Sequence, residues 1–208
     1  PPAVEPIVLG KPPGRRRSNG AAAERPPGGG GGTVLFDLET LRSAADVGGW
    51  GRAYRMGVAV GVACFLEEGR FEVYREDRVG ELVEALQTAD LVVGFNVKRF
   101  DYKVLSGYTG VDYGRKLPTL DLLEEIHRRL GFRLGLGHLA VATLGVGKLA
   151  DGLQSLEWVK EGRLDLVEDY CRGDVAILRD LYLHGRREGF VFYDDRKRGT
   201  RLKIPVDW

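Results

Sequence analysis

The chain has 208 residues, 31 Lys and Arg against 30 Asp and Glu, and 43% hydrophobic residues. That is enough for one core plus a tail. It excludes a wholly disordered chain and two full domains. No window holds the roughly 18 consecutive apolar residues of a spanning helix, so no membrane role is expected.

Residues 1–32 carry seven of the nine prolines and eight of the thirty glycines. Five basic residues (Lys11, Arg15, Arg16, Arg17, Arg25) stand there against Glu5 and Glu24. Such a stretch cannot bury a core and reads as a flexible tail or linker, its arginines free for phosphate contact or simply solvated. The opening Pro1-Pro2-Ala3 shows no signal-peptide pattern and no initiator Met, as in a processed product or a piece of something longer. Cys64 and Cys171 have no metal-type spacing and are too few for a disulfide framework, which points to a reducing, cytoplasmic setting. The folded domain is placed over 33–208, and its body is slightly acidic. A carboxylate site that needs cations to meet a polyanion would suit that balance.

From Thr33 the pattern is periodic. Thr33 to Glu39, Tyr54 to Leu66 and Arg70 to Tyr74 read as strands of an antiparallel meander, with 40–53 a long loop and Glu67-Glu68-Gly69 a turn. Residues 79–88 have helical spacing. Leu91 to Phe95 is a short, wholly apolar strand suited to a central parallel position. Asn96 then reads as N-cap of a helix over about 97–106. Helices are expected over Thr119 to Leu130, Leu136 to Leu144, Leu153 to Lys160 and 164–184. A hairpin closes the chain, Phe190 to Tyr193 against Thr200 to Val206. The class is α/β, a mixed sheet flanked by helices with a C-terminal β-hairpin.

Three acidic features stand out. Asp37 and Glu39 flank Leu38 on a strand, so both carboxylates share a face. Two such acids repel unless a cation or a proton intervenes, and hard oxygen ligands select Mg²⁺ or Mn²⁺ over Zn²⁺. Asp101 follows Asn96 by five residues and lies on the first turns of a helix. Tyr170 and Asp174 stand at i and i+4, one helix face. Each feature alone is also compatible with an ordinary surface acid.

Taken together, Asp37-x-Glu39, Asn96-x-x-x-Phe100-Asp101 and Tyr170-x-x-x-Asp174 resemble the three exonuclease motifs of the DEDD (DnaQ-like) 3′–5′ exonucleases, tyrosine-bearing subgroup. The wording is similar to the proofreading domain of family-B DNA polymerases and to YprB-type RNase H-like domains, and covers roughly residues 33–184. Gly173, the 40–53 loop and the hairpin are not explained by it. The resemblance implies an RNase H-like fold and two divalent ions, Mg²⁺ or Mn²⁺, about 4 Å apart. Asp37, Glu39, Asp101 and Asp174 would be their ligands, with Asp37 bridging, and Tyr170 would orient the attacking water. The implied activity removes nucleoside 5′-monophosphates from the 3′ end of single-stranded DNA or RNA, in repair, RNA turnover or a helicase-coupled role.

Thr40 and Leu41 follow Glu39 directly and would contact the terminal nucleotide, as would Asn96. Lys98, Trp50 and Tyr54 are further candidates for phosphate contact and base stacking. Asp121 reads as a helix-start acid, with approach to the metals as the alternative. His138 reads as structural, and His127 and His184 as exposed. Asp151 to Gln154 and Trp158 would cover the site or pack on the core. Arg196-Lys197-Arg198 would be a solvated turn or a guide for the strand. The rival function is a non-catalytic 3′-end-binding module serving a helicase or polymerase partner domain.

Overall fold

The computed structural model describes residues 31–147, 152–195 and 197–208. The expected tail (save Gly31 and Gly32), Asp151 and Arg196 lie outside the described residues. Strand β1 (Thr33–Thr40) leads through a short helix α1 (Ala44–Val47) and a 3₁₀ segment, Trp50–Arg55, into β2 (Val58–Phe65) and β3 (Arg70–Arg75). Then come α2 (Val79–Thr88), β4 (Leu91–Gly94), α3 (Asp101–Thr109), α4 (Tyr113–Lys116), β5 (Thr119–Asp121) and α5 (Leu122–Leu130). Helices α6 (Leu136–Leu144), α7 (Gly152–Lys160) and α8 (Leu164–Glu188) precede a hairpin of β6 (Phe190–Asp195) and β7 (Thr200–Pro205).

The five-stranded sheet has the order β3-β2-β1-β4-β5. The meander β1-β2-β3 is antiparallel, its first connection long and its second a short turn, while β4 and β5 run parallel to β1. Strand β1 therefore sits in the middle, and its two faces feed two cores. Val34, Phe36 and Leu38 pack with residues of α2 and α3. Leu35 packs on the other side with α5, α6, α8 and the hairpin. This is the two-faced burial of a central strand, with the long amphipathic α8 covering one face.

Four expectations give way to tertiary context. The strand read from Tyr54 starts at Val58, because Gly57, at φ 71°, turns the chain first. Residues 119–121, read as helix, pair with β4 in the register Val92↔Thr119 to Gly94↔Asp121. The helix read from 97 begins at Asp101, and Asn96 is no N-cap. Asn96 holds a left-handed φ of 71°, which asparagine tolerates better than most residues. Its N–H donates to Asp121 Oδ1 at 2.8 Å, and the Lys98 N–H donates to Asp121 Oδ2 at 3.1 Å. The carboxylate of Asp121 also caps α5. One buried acid thus ties the β4–α3 connection to the end of β5. His184 is half-buried, edge-on to Phe190, rather than exposed.

The 40–53 stretch is ordered by local chemistry. Ser43 and Asp46 form a capping box on α1, and Gly48 closes that helix in the left-handed region at φ 83°. The 3₁₀ segment then lies against α3 at Gly107, where a Cβ would fall 1.9 Å from the Tyr54 carbonyl oxygen. Backbone cannot yield as a side chain can. Gly107→Ala is therefore expected to destabilise the fold by about 2 kcal/mol or more, read as a lowered midpoint in urea unfolding. An unchanged midpoint would show that α3 and the segment do not pack this closely.

Candidate active site

Alternation along β1 sends Asp37 and Glu39 to the same face as Leu35, toward α8. The first three turns of α8 bring buried Tyr170, Cys171 and Asp174 onto that face. The Cys171 thiol donates to the Asp37 carbonyl at 3.5 Å and so ties helix to strand. Burial pushes that thiol well up, helped by the surrounding carboxylates, so it stays neutral. Between Glu39 and Thr40 the β1–β2 register slips by one residue, Glu39↔Val60 becoming Thr40↔Val58. Such a bulge bends a strand and re-aims its end, here beside the acids.

The outcome is a convergence of charge. Carboxylate oxygens of Asp37, Glu39 and Asp174 lie within 4.8 Å of one another. Asp101, only 1% exposed, stands beside this group. Its Oδ1 is buried with no hydrogen-bond partner among the described residues, a costly state for a carboxylate. Desolvation first, and then the charge of Asp37, push its carboxyl well above the usual range. A buried carboxylate oxygen next to three clustered carboxylates is a donor set of hard oxygens. It fits divalent cations of the Mg²⁺ or Mn²⁺ kind.

Tyr170 belongs to the same group. Burial, and then the charges of Asp174, Glu39 and Asp37, hold its phenol far above its ordinary pKa, and it hydrogen-bonds Asp174. It is therefore a permanent proton donor. Trp158 of α7 leans edge-on against its ring, with centroids 6.3 Å apart, so this tryptophan packs and at the same time braces a site residue.

Asp37, Glu39, Tyr170 and Asp174 line a cleft of about 760 Å³, which Thr40, Asn96, Trp50, Phe100 and the α7 residues Leu153 and Leu156 also reach, while Asp101 lies buried behind its wall. The Thr40 hydroxyl donates to the Arg42 carbonyl at 2.9 Å. Leu41 does not line the cleft, and its side chain lies against Gly57. Lys98 also points elsewhere: it pairs with Glu124 at 2.7 Å and lines a second pocket together with Tyr54. None of the three histidines lines the cleft. Sequence reading missed Arg133, whose guanidinium donates to Asn96 Oδ1 at 2.6 Å from the far wall. It sits in a turn between two helices with no local motif to mark it. It missed Arg42 in the same way.

Comparison with known proteins agrees with this architecture. A family model described as the RNase_H superfamily matches residues 34–186. No curated protein matches the chain. Among solved structures, the family B DNA polymerase from the hyperthermophilic archaeon Pyrobaculum calidifontis is similar, with a TM-score of 0.54 and 20% identity. The likeness covers 75% of this chain and 24% of that one, so the chain spans about a quarter of the polymerase's length. At this identity it is a likeness of fold. Among the described residues no helix is long and apolar enough to cross a membrane.

The raised carboxyl of Asp101 fixes the sign of a pH effect. A group whose folded pKa lies above its unfolded value contributes stability at low pH and loses it as pH rises through the folded value. In EDTA, the melting temperature should therefore fall as pH climbs above about 4, the ordinary aspartate value. Mn²⁺ should reverse that fall, and Asp101→Asn should abolish it. A melting curve that ignores both pH and Mn²⁺ would contradict the electrostatics described.

Proposed function

The chain belongs to the RNase H superfamily, and from that premise we propose that it is a metal-dependent 3′–5′ exonuclease of the tyrosine-bearing DEDD type. One observation carries the reading: three carboxylates from β1 and α8 close to within 4.8 Å at the floor of a cleft, beside Asp101, whose buried Oδ1 has no hydrogen-bond partner among the described residues. Asp37, Glu39, Asp101 and Asp174 would hold two divalent ions. Asp37 groups with Glu39 and Asp174 and also bears on Asp101, so it would be the acid common to the whole donor set. Bound there, such ions neutralise a phosphate that the acids would otherwise repel and lower the pKa of an attacking water.

The protein's own groups do the positioning. The Tyr170 phenol, its proton held by Asp174, accepts from the water through its oxygen and so orients it for in-line attack on the last phosphodiester, a role its raised pKa favours over that of a base. Water oxygen bonds to phosphorus, the bond to the 3′ oxygen breaks, and that oxygen takes up a proton. A nucleoside 5′-monophosphate leaves and a new 3′ hydroxyl remains. Thr40 and Asn96 grip the terminal nucleotide from the cleft wall. Asp121 serves as a strap that sets Asn96 in its left-handed pose, outside the ligand set. The substrate is a single-stranded 3′ end of DNA or RNA, since a paired end would have to fray to reach the cleft floor. The similar polymerase carries this fold within a much longer chain. That supports a chain that works beside a helicase or polymerase partner domain.

A 5′-labelled single-stranded oligonucleotide with Mg²⁺ or Mn²⁺ should give a ladder shrinking one nucleotide at a time, with 5′-monophosphates released. Asp174→Asn should slow it by more than about a hundredfold, since loss of a residue that merely supports a ligand already costs 10–100-fold. Tyr170→Phe should retain cleavage at a rate about ten- to a hundredfold lower. Internal fragments from the start, or an undiminished ladder from Asp174→Asn, would overturn the proposal.

A further inference from the structure

The 3₁₀ segment Trp50-Gly51-Arg52-Ala53-Tyr54-Arg55 exposes what a folded domain ordinarily hides. Only Ala53 and the following Met56 turn inward, each 1% exposed. Trp50 is left 71% exposed and Tyr54 44%. Arg52 and Arg55 are exposed between and beside them, and the Arg55 guanidinium lies 5.7 Å from the Tyr54 ring centre. From residue 47 to residue 66 the sequence contains no Asp or Glu. An outward face of alternating rings and arginines is poor surface for a domain that merely needs solubility.

Its position gives the pattern a use. Trp50 stands on the wall of the acidic cleft, edge-on to Phe100 with centroids 5.8 Å apart. Tyr54, four residues on, lines the second pocket, of about 390 Å³, whose other walls include Lys98 and Lys103. Glu124 neutralises Lys98, and Arg115 neutralises Asp112 on the pocket rim. Lys103 has no ion-pair partner among the described residues. The Arg42 guanidinium, also on the cleft wall, donates to the Arg55 carbonyl and so ties the segment to the end of β1. Close packing of the Tyr54 backbone against Gly107 fixes the segment on α3. The rings are thus held on a rigid base, and rigid rings lose little entropy when a base stacks on them.

We infer that this segment is a track for single-stranded nucleic acid, leading from the acidic cleft to the second pocket and holding nucleotides 5′ of the terminal one. This rests on the nuclease reading for its direction and deepens it by assigning the substrate a path. Bases stack on Trp50 and Tyr54, and phosphates meet Arg52, Arg55 and Lys103. Stacking and backbone charge are indifferent to base identity, so the track holds strands without regard to sequence.

The test measures binding in EDTA, where nothing is cut, by fluorescence anisotropy of labelled thymidylate dinucleotide and of an oligothymidylate of about eight nucleotides. The whole chain is used. Tyr54→Ala and Lys103→Gln should each lower the ratio of long-strand to dinucleotide affinity, by about tenfold for the ring. Tyr54→Phe should keep the ratio, because the ring is retained. Lys103→Gln should also flatten the fall of affinity with salt. Thermal melting of each variant serves as the folding control. A ratio unchanged in the folded Tyr54→Ala and Lys103→Gln proteins would overturn the track. So would equal losses for the dinucleotide and the long strand, which would confine the effect to the cleft. If the track fails while the Mg²⁺-dependent ladder persists, the nuclease reading survives it. If no ladder forms but the affinity ratio still moves, the track stands without that reading.

Discussion

Like charges do not gather without a reason, and the site is built around a gathering of them. At an effective dielectric near 20, two unit charges about 4 Å apart repel by roughly 4 kcal/mol. Asp37, Glu39 and Asp174 bring carboxylate oxygens within 4.8 Å of one another, and Asp101 adds a buried oxygen with no hydrogen-bond partner among the described residues. The Tyr170 phenol meets part of this charge through its hydrogen bond with Asp174, and the packing of strand and helix holds the acids in place.

That packing explains the architecture. Strand β1 is central, anchored by β2 on one side and β4 on the other, so its acidic end cannot drift. Helix α8 presses Val167, Cys171 and Val175, all at 0% exposure, into the core on the same face. Tyr170 and Asp174 are carried along by that burial, and Trp158 supports the phenol from the far side. Asp101 is delivered by the β4–α3 connection, which Gly94 allows to fold tightly: a Cβ there would lie 2.1 Å from a Val97 methyl. Asp121 holds the same connection by two backbone hydrogen bonds. Hydrophobic burial thus sets the positions, and the electrostatic cost is borne locally where chemistry needs it.

The pairing of Asp37 with Glu39 and of Tyr170 with Asp174 was legible because their spacing follows strand and helix periods directly, whereas Asp101 was singled out by the motif resemblance. Alternation put Asp37 and Glu39 on one face, and i, i+4 spacing put Tyr170 and Asp174 on another. The sheet was legible too, since the apolar run at 91–94 can only be a buried strand once helices surround it. What stayed hidden depended on partners distant in sequence. Residues 119–121 have helical spacing but are captured by β4. Asn96 has the look of a cap, yet its backbone is claimed by Asp121 from 25 residues away. Leu41 and Lys98 sit next to motif residues in the chain, but their side chains leave along other directions. Arg133 carries no signal in its own neighbourhood, and only the closure of α5 and α6 brings it to the cleft.

Crystals soaked in Mn²⁺ and measured for anomalous scattering test the central claim most directly. The account predicts strong peaks in the cleft, one among the oxygens of Asp37, Glu39 and Asp174 and a second that engages the lone Oδ1 of Asp101. Soaked crystals with no anomalous density between these four carboxylates, or with manganese bound only on the outer surface, would contradict it.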